Sequence, residues 1–177
     1  MPTVFSHPAP VLALAALLGG RVSTRMLLFG ILCAVLPDAD VIGFRFGISY
    51  ADAFGHRGFS HSLAFALLMG CAGFGVAPLF LRGSRLMGFT VGLLAVSSHI
   101  LLDGGLGVAA FWPFDQTRYF CDWRPIRVSP FVLKGLLSQR GLSVMLSELR
   151  WVWAPCLAVI AAALFFGKNP MRAIPRK

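Results

Sequence analysis

Long apolar runs constrain this chain more than any other feature in it. Five can be marked, at about Phe5–Leu18, Val22–Leu36, Ser60–Leu81, Leu86–Leu102 and Ser143–Phe166. A helix that crosses the hydrocarbon core of a bilayer needs roughly 20 mainly apolar residues. The third and fifth runs reach that length, the fourth just does, and the first two are short. Those two are either lengthened by their neighbours or end inside the bilayer against a polar cavity. Only 13% of the 177 residues are charged, where a soluble domain carries about a quarter. A bilayer is therefore the expected solvent for most of the surface. The sequence predicts an all-α, multi-pass transmembrane bundle of about five spans, built as one domain over residues 1–177. The first charge near the opening run is Arg21, which follows it. That run reads as a helix rather than a cleaved secretion signal, which carries its basic residues in front.

The links between runs differ in kind. Gly19–Arg25 and Arg82–Arg85 are short turns, each with two arginines, and Val41–Phe54 is a longer loop. Residues 103–142 form the largest non-spanning region and hold Trp112-Pro113-Phe114 and Trp123-Arg124-Pro125. Amphipathic aromatic rings settle at the headgroup layer, so this region reads as an interfacial loop, with a short helix expected around Phe131–Leu137. The net charge of +9 comes without a basic helix face or an aromatic–basic recognition motif, so nucleic acid is not an expected partner. Cys33, Cys71, Cys121 and Cys156 are scattered. Those in apolar runs read as small core residues, and no disulfide framework is expected.

Helices joined by short loops alternate in direction, and counting spans sorts the polar residues by side. One end of the bundle receives Arg21, Arg25, Arg82, Arg85 and the basic tail over 168–177, with no acidic residue. The positive-inside rule puts this end, and the C-terminus, in the cytoplasm. The other end receives all four histidines, His7, His56, His61 and His99, together with Asp38, Asp40 and Asp103. It is expected on the periplasmic side of a bacterial inner membrane.

Imidazole and carboxylate are ligands that zinc and similar divalent metals accept. His99 and Asp103 stand four apart and share a helix face. Asp38 and Asp40 follow Pro37 on a terminating turn. His56 and His61 belong to the stretch Gly55–Ser62, G-H-R-G-F-S-H-S, which must bend at Gly58 to bring both inward. Seven candidate ligands, His7, Asp38, Asp40, His56, His61, His99 and Asp103, exceed the needs of one catalytic zinc, which keeps about three protein ligands. They suit two metals bridged by a carboxylate, a pair that would acidify a bound water, with zinc favoured, manganese the other option and the count left at one or two ions. Arg57 and Asp40 are the candidate catalytic residues, Arg57 as a fixed cation facing developing negative charge. Ser60, Ser62 and Ser98 are candidate supporting hydrogen-bond partners. Tyr50, Asp52, Asp115 and Asp122 read as ordinary interfacial residues, and Glu148 as a further polar contact.

These motifs taken together resemble the YdjM family of bacterial inner-membrane proteins. The resemblance rests on His7, P-D-x-D at Pro37–Asp40, H-R-G-x-S-H-S at His56–Ser62, S-H-x-x-x-D at Ser98–Asp103 and W-P-F at Trp112–Phe114. It implies a multi-pass membrane fold, metal-dependent hydrolase activity, and the same seven His and Asp residues as ligands. The cluster also resembles that of zinc-dependent phospholipase C, which favours phosphoester hydrolysis by analogy. The expected function is a membrane-embedded metallohydrolase acting on a lipid-borne ester, with membrane lipid as both solvent and substrate. A metal or proton transporter and a non-enzymatic lipid-binding scaffold are the alternatives. Transport is disfavoured because the ionisable residues lie toward helix ends rather than at the bilayer midplane.

Overall fold

Among the described residues serines start four of the five α-helices, each by the same means. A serine just ahead of a helix accepts a hydrogen bond from a backbone N–H of the first turn, which has no partner within the helix. A computed structural model describes residues 2–129, 135 and 138–166. In it α1 (Pro8–Leu18) opens on a proline instead, whose missing N–H costs nothing at that position. Ser23 caps α2 (Thr24–Val35), accepting from the Met26 N–H at 3.1 Å. Ser62 caps α3 (Leu63–Val76) through Phe65, and Ser84 caps α4 (Arg85–Asp103) through Met87. Ser138 caps α5 (Gln139–Phe166) through Gly141. Among the described residues there is no strand, only an isolated bridge between Val108 and Tyr119.

Among the described residues four helical stretches are long and apolar enough to cross a membrane: Thr24–Phe46, Leu63–Leu81, Arg85–Leu106 and Gln139–Phe166. The two short apolar runs thus part ways. The second is lengthened by a 3-10 stretch, Leu36–Phe46, which follows directly on α2. Pro37 sits at the switch, where a residue without an N–H cannot continue the α-helical ladder. The first stays short, an 11-residue α-helix whose start is buried at the polar end of the bundle.

The frame is the α3–α4 hairpin, packed backbone against backbone. A Cβ on Gly88 would stand 2.2 Å from the Gly73 carbonyl oxygen, and one on Gly92 would stand 2.4 Å from that of Met69. Small residues permit such approach, and in lipid close packing replaces the hydrophobic effect as the cause of helix association. Helices α1 and α2 lean on α4, and Val11, Cys33, Ala34, Phe65, Ala66, Ala95, Val96 and Ile100 fill the space between. Helix α5 lies at the rim against α1. Its buried residues, Gly141, Val144, Glu148 and Val152, form one stripe, while Leu164, Phe165 and Phe166 face outward. All four cysteines are free. Only Cys33 is a core residue; Cys71 is exposed on a helix surface that lipid would cover.

The region after α4 folds back over the G-H-R-G loop. The Ala109 N–H donates to the Arg57 carbonyl at 3.0 Å, and the Leu63 N–H donates to that of Ala110 at 2.9 Å. The Trp112 ring packs on Phe59 with centroids 4.7 Å apart. The interfacial helix expected near Phe131–Leu137 and the tail over 168–177 lie outside the described residues, apart from Gly135.

Candidate metal centre

Five separate pieces of chain deliver the polar side chains to one place. His7 comes from the residue before α1, Asp38 and Asp40 from the 3-10 stretch after α2, and His56 and Arg57 from the loop. His61 comes from the short turn ahead of α3, and His99 and Asp103 from the end of α4. His7, His56, His61, His99 and Asp103 are wholly buried.

The loop reaches this place by folding back tightly on itself. A Cβ at Gly55 would lie 2.1 Å from the Ser49 carbonyl oxygen, and one at Gly58 would lie 2.2 Å from that of Ala53. Between them Arg57 takes a left-handed conformation, with φ 65°, which a non-glycine residue holds only when its surroundings enforce it. Here the Arg57 N–H donates to Asp40 Oδ2 at 3.0 Å while its carbonyl accepts from Ala109.

Two groups with metal-ligand geometry result, Asp38–His61–His99–Asp103 and Asp40–His56–His61. In the first, His61 Nε2 and His99 Nε2 face each other at 3.0 Å. His99 Nε2 is 3.6 Å from Asp38 Oδ1, and His61 Nε2 is 3.7 Å from Asp103 Oδ2. His7 stacks on His99 with ring centroids 3.8 Å apart, its Nε2 3.6 Å from Asp38 and 3.7 Å from Asp103. The second group is bound together by hydrogen bonds. Asp40 Oδ1 meets His56 Nδ1 at 2.6 Å, and Asp40 Oδ2 accepts from Ser60 at 2.6 Å and lies 3.3 Å from His61 Nδ1. The residue common to both groups is therefore the imidazole of His61, not the bridging carboxylate that the sequence suggested.

The other ring nitrogen of each histidine decides what the facing pair can do. His99 Nδ1 lies 2.7 Å from the Ala34 carbonyl, an acceptor only, so this nitrogen carries the proton. His61 Nδ1 points at the Asp40 carboxylate in the same way. Two neutral rings so arranged would set lone pair against lone pair at 3.0 Å, and only a shared proton or a cation relieves that. Asp38 Oδ1, Asp103 Oδ1 and both nitrogens of His7 are buried without a hydrogen-bond partner among the described residues. Buried polar atoms left so exposed to one another are costly, and a divalent cation satisfies this donor set of nitrogen and oxygen atoms.

Electrostatics outside the spans set His7 and His61 apart, since the first is held neutral and the second is drawn toward its proton. Burial lowers the His7 pKa to about 4, so its ring is neutral and able to bind. Burial also opposes a charge on His61, but its contacts with Asp103 and Asp40 outweigh it, and its pKa lies above the ordinary value. Ser60 is not placed as a nucleophile relayed through His61. Both Ser60 and Asp40 approach the same nitrogen of that ring, and Ser60 gives its proton to Asp40.

A cationic wall closes the site. Arg57 donates from Nε to Asp103 at 3.2 Å and from Nη1 to the Tyr50 hydroxyl at 3.2 Å. The Arg118 guanidinium lies 4.3 Å from the centroid of the Tyr50 ring and donates to the His56 carbonyl at 2.8 Å. Tyr50 is thus part of the wall rather than an ordinary interfacial residue. Arg118 carried no sequence signal, because nothing in its neighbourhood along the chain distinguishes it from other loop arginines. Asp52 and Asp115 do stay peripheral, bonded to Ser49 and to Tyr119 and Thr117 respectively. Ser62 caps α3 and Ser98 turns back on the Ala95 carbonyl, so of the three serines Ser60 alone meets the cluster.

These observations define a helical membrane protein with a buried His/Asp cluster at one end of its bundle. The chain belongs to the YdjM family: the family model described as YdjM inner membrane protein matches residues 1–171. Among curated proteins it is 41% identical over 160 residues to the inner membrane protein YbcI of Escherichia coli (strain K12), covering 88% of this chain and 92% of that one. It is accordingly a bacterial inner-membrane protein. No solved structure matches it.

Proposed function

We propose that the protein is a membrane-embedded metal-dependent hydrolase acting on a lipid-borne ester, with a phosphoester favoured. The observation that carries this reading is the pair of imidazole nitrogens facing each other at 3.0 Å beside the buried Asp103 and the partly buried Asp38 carboxylates. His61, His99, Asp38 and Asp103 would hold the ion, with His7 at its side. A divalent cation, zinc favoured over manganese, supplies Lewis acidity toward a phosphoryl or acyl oxygen and acidifies water. The remaining roles fall to the chain's own residues. Asp40 orients His61 and His56 through their Nδ1 atoms, as carboxylates behind ligand histidines do. Arg57, fixed between Asp103 and Tyr50, faces negative charge developing on the substrate. A second ion at Asp40–His56–His61 would have to break the hydrogen bonds that Asp40 makes there, so one ion is the simpler reading.

A lipid substrate is supported by the position of the cluster at the helix ends, beside a loop that exposes Phe111, Phe114, Phe120 and Trp123. The same position argues against a transporter. The arginines of the opposite end favour a cytoplasmic C-terminus and a site open to the periplasm. The test is elemental analysis of detergent-purified protein, followed by hydrolysis assays on phospholipids and polyprenyl phosphates with added zinc or manganese. Bound stoichiometric metal with release of a headgroup or phosphate is expected. Protein that is metal-free and inactive on every such lipid overturns the proposal. Reporter fusions in the Arg82–Arg85 turn check sidedness, and a periplasmic signal there would reverse it.

A further inference from the structure

Two members of the cluster, Asp38 and His7, have side chains that no hydrogen bond holds among the described residues, and of these His7 alone is wholly buried. Among the described residues neither nitrogen of His7 has such a partner, and only stacking on His99 touches its ring face. Its position must come from its backbone. That backbone is clamped from the far end of the sequence, by Glu148 in α5.

Glu148 is 4% exposed within a helix of membrane-spanning length. A carboxylate in such a place is expensive and needs a reason. Its oxygens accept from the Thr3 N–H at 2.6 Å, the Thr3 hydroxyl at 2.8 Å and the Ser6 hydroxyl at 2.6 Å. The Ser6 hydroxyl also accepts from Trp153 Nε1 at 3.1 Å. The turn from Thr3 to Ser6 is closed by a 2.9 Å bond from the Ser6 N–H to the Thr3 carbonyl. His7 is the next residue, and α1 starts immediately after it.

We propose that Glu148 is a positioning residue: it locks the Thr3–Ser6 turn so that His7 enters the metal centre at fixed depth and angle. α5 then acts as a clamp on the centre although it contributes no ligand. The inference rests on the reading of His7 as a member of that centre.

Cobalt(II) alone serves as the probe, titrated into full-length protein in detergent and followed by its ligand-field absorption. Wild type, His7→Ala, Glu148→Ala, Glu148→Gln and the His7→Ala/Glu148→Ala double variant are compared. Glu148→Ala is expected to lower cobalt affinity about tenfold to a hundredfold, the usual effect of losing an outer support, and to shift the spectrum in the direction His7→Ala does. Glu148→Gln keeps an acceptor and recovers part of the loss. The double variant is no weaker than His7→Ala alone, because residues acting through one contact do not add. Wild-type affinity and spectrum in Glu148→Ala, or additive losses in the double variant, overturn the positioning role while leaving the metal centre standing. Wild type that binds no cobalt ends both. Should Glu148→Ala fail to fold, Ser6→Ala removes one bond of the clamp and is read by the same criteria.

Discussion

The two ends of the α3–α4 hairpin are built on opposite principles. Toward its turn, Gly73 and Gly88 bring backbone onto backbone with no polar side chain between. At its open end His61, His99 and Asp103 meet three other pieces of chain through ion pairs, hydrogen bonds and ring contacts between polar side chains. The first end uses what a bilayer allows, since helices in lipid associate through close packing of small residues. The second does what a bilayer penalises, since ionisable groups taken from water cost several kcal/mol each unless paired or bound to metal. The contrast teaches that the glycine end makes the frame, and that the histidine end is a load the frame carries, for which the proposed metal chemistry would supply the reason.

Changes at the two ends should therefore be separable. The largest effect is expected from His99→Ala or His61→Ala: metal binding and hydrolysis fall below detection while helix content by circular dichroism stays at the wild-type level. If helix content collapses as well, the cluster is part of the frame and the contrast is broken. Gly88→Val should act in reverse, lowering stability by about 3 kcal/mol as overpacking does, since its Cβ would meet the Gly73 carbonyl at 2.2 Å. Thermal unfolding in detergent reads this, and the fraction that stays folded should bind metal as wild type does. Asp40→Asn is smaller again. It leaves the Asp38–His61–His99–Asp103 group whole but loosens His61 and His56, and metal affinity should fall about tenfold to a hundredfold; a complete loss would make Asp40 a ligand instead. The smallest is Ser84→Ala, which removes the cap of α4 at the turn and should cost about 1 kcal/mol with no change in metal affinity.

Much of the polar end was legible from span counting. Runs that alternate in direction bring His7, Asp38, His61 and His99 to one side whatever their packing, and the bundle does hold them together. The G-H-R-G pattern also carried its own signal, since glycines flanking an arginine announce a backbone with no room for side chains. Less could be read about the partners that make the cluster work. Arg118 and Tyr50 are joined through Arg57 and the His56 carbonyl by folding of the loop after α4, and no spacing along the chain encodes that. Glu148 stood out in an apolar run, but its partners Thr3 and Ser6 are 145 and 142 residues away.

The sequence by itself determined that this chain lies in a membrane and that imidazoles and carboxylates collect at one end, but not which of its two short apolar runs would become a long helix. The reason is that lipid forbids unpaired backbone, so each apolar run must be a helix and each turn must reverse it. Only the tertiary structure decided which nitrogen of each ring faces inward, that Asp40 stands behind His61, and that α5 holds the start of the chain. Those outcomes depend on distances of a few ångströms between segments far apart in sequence, and such distances exist only once the helices have packed.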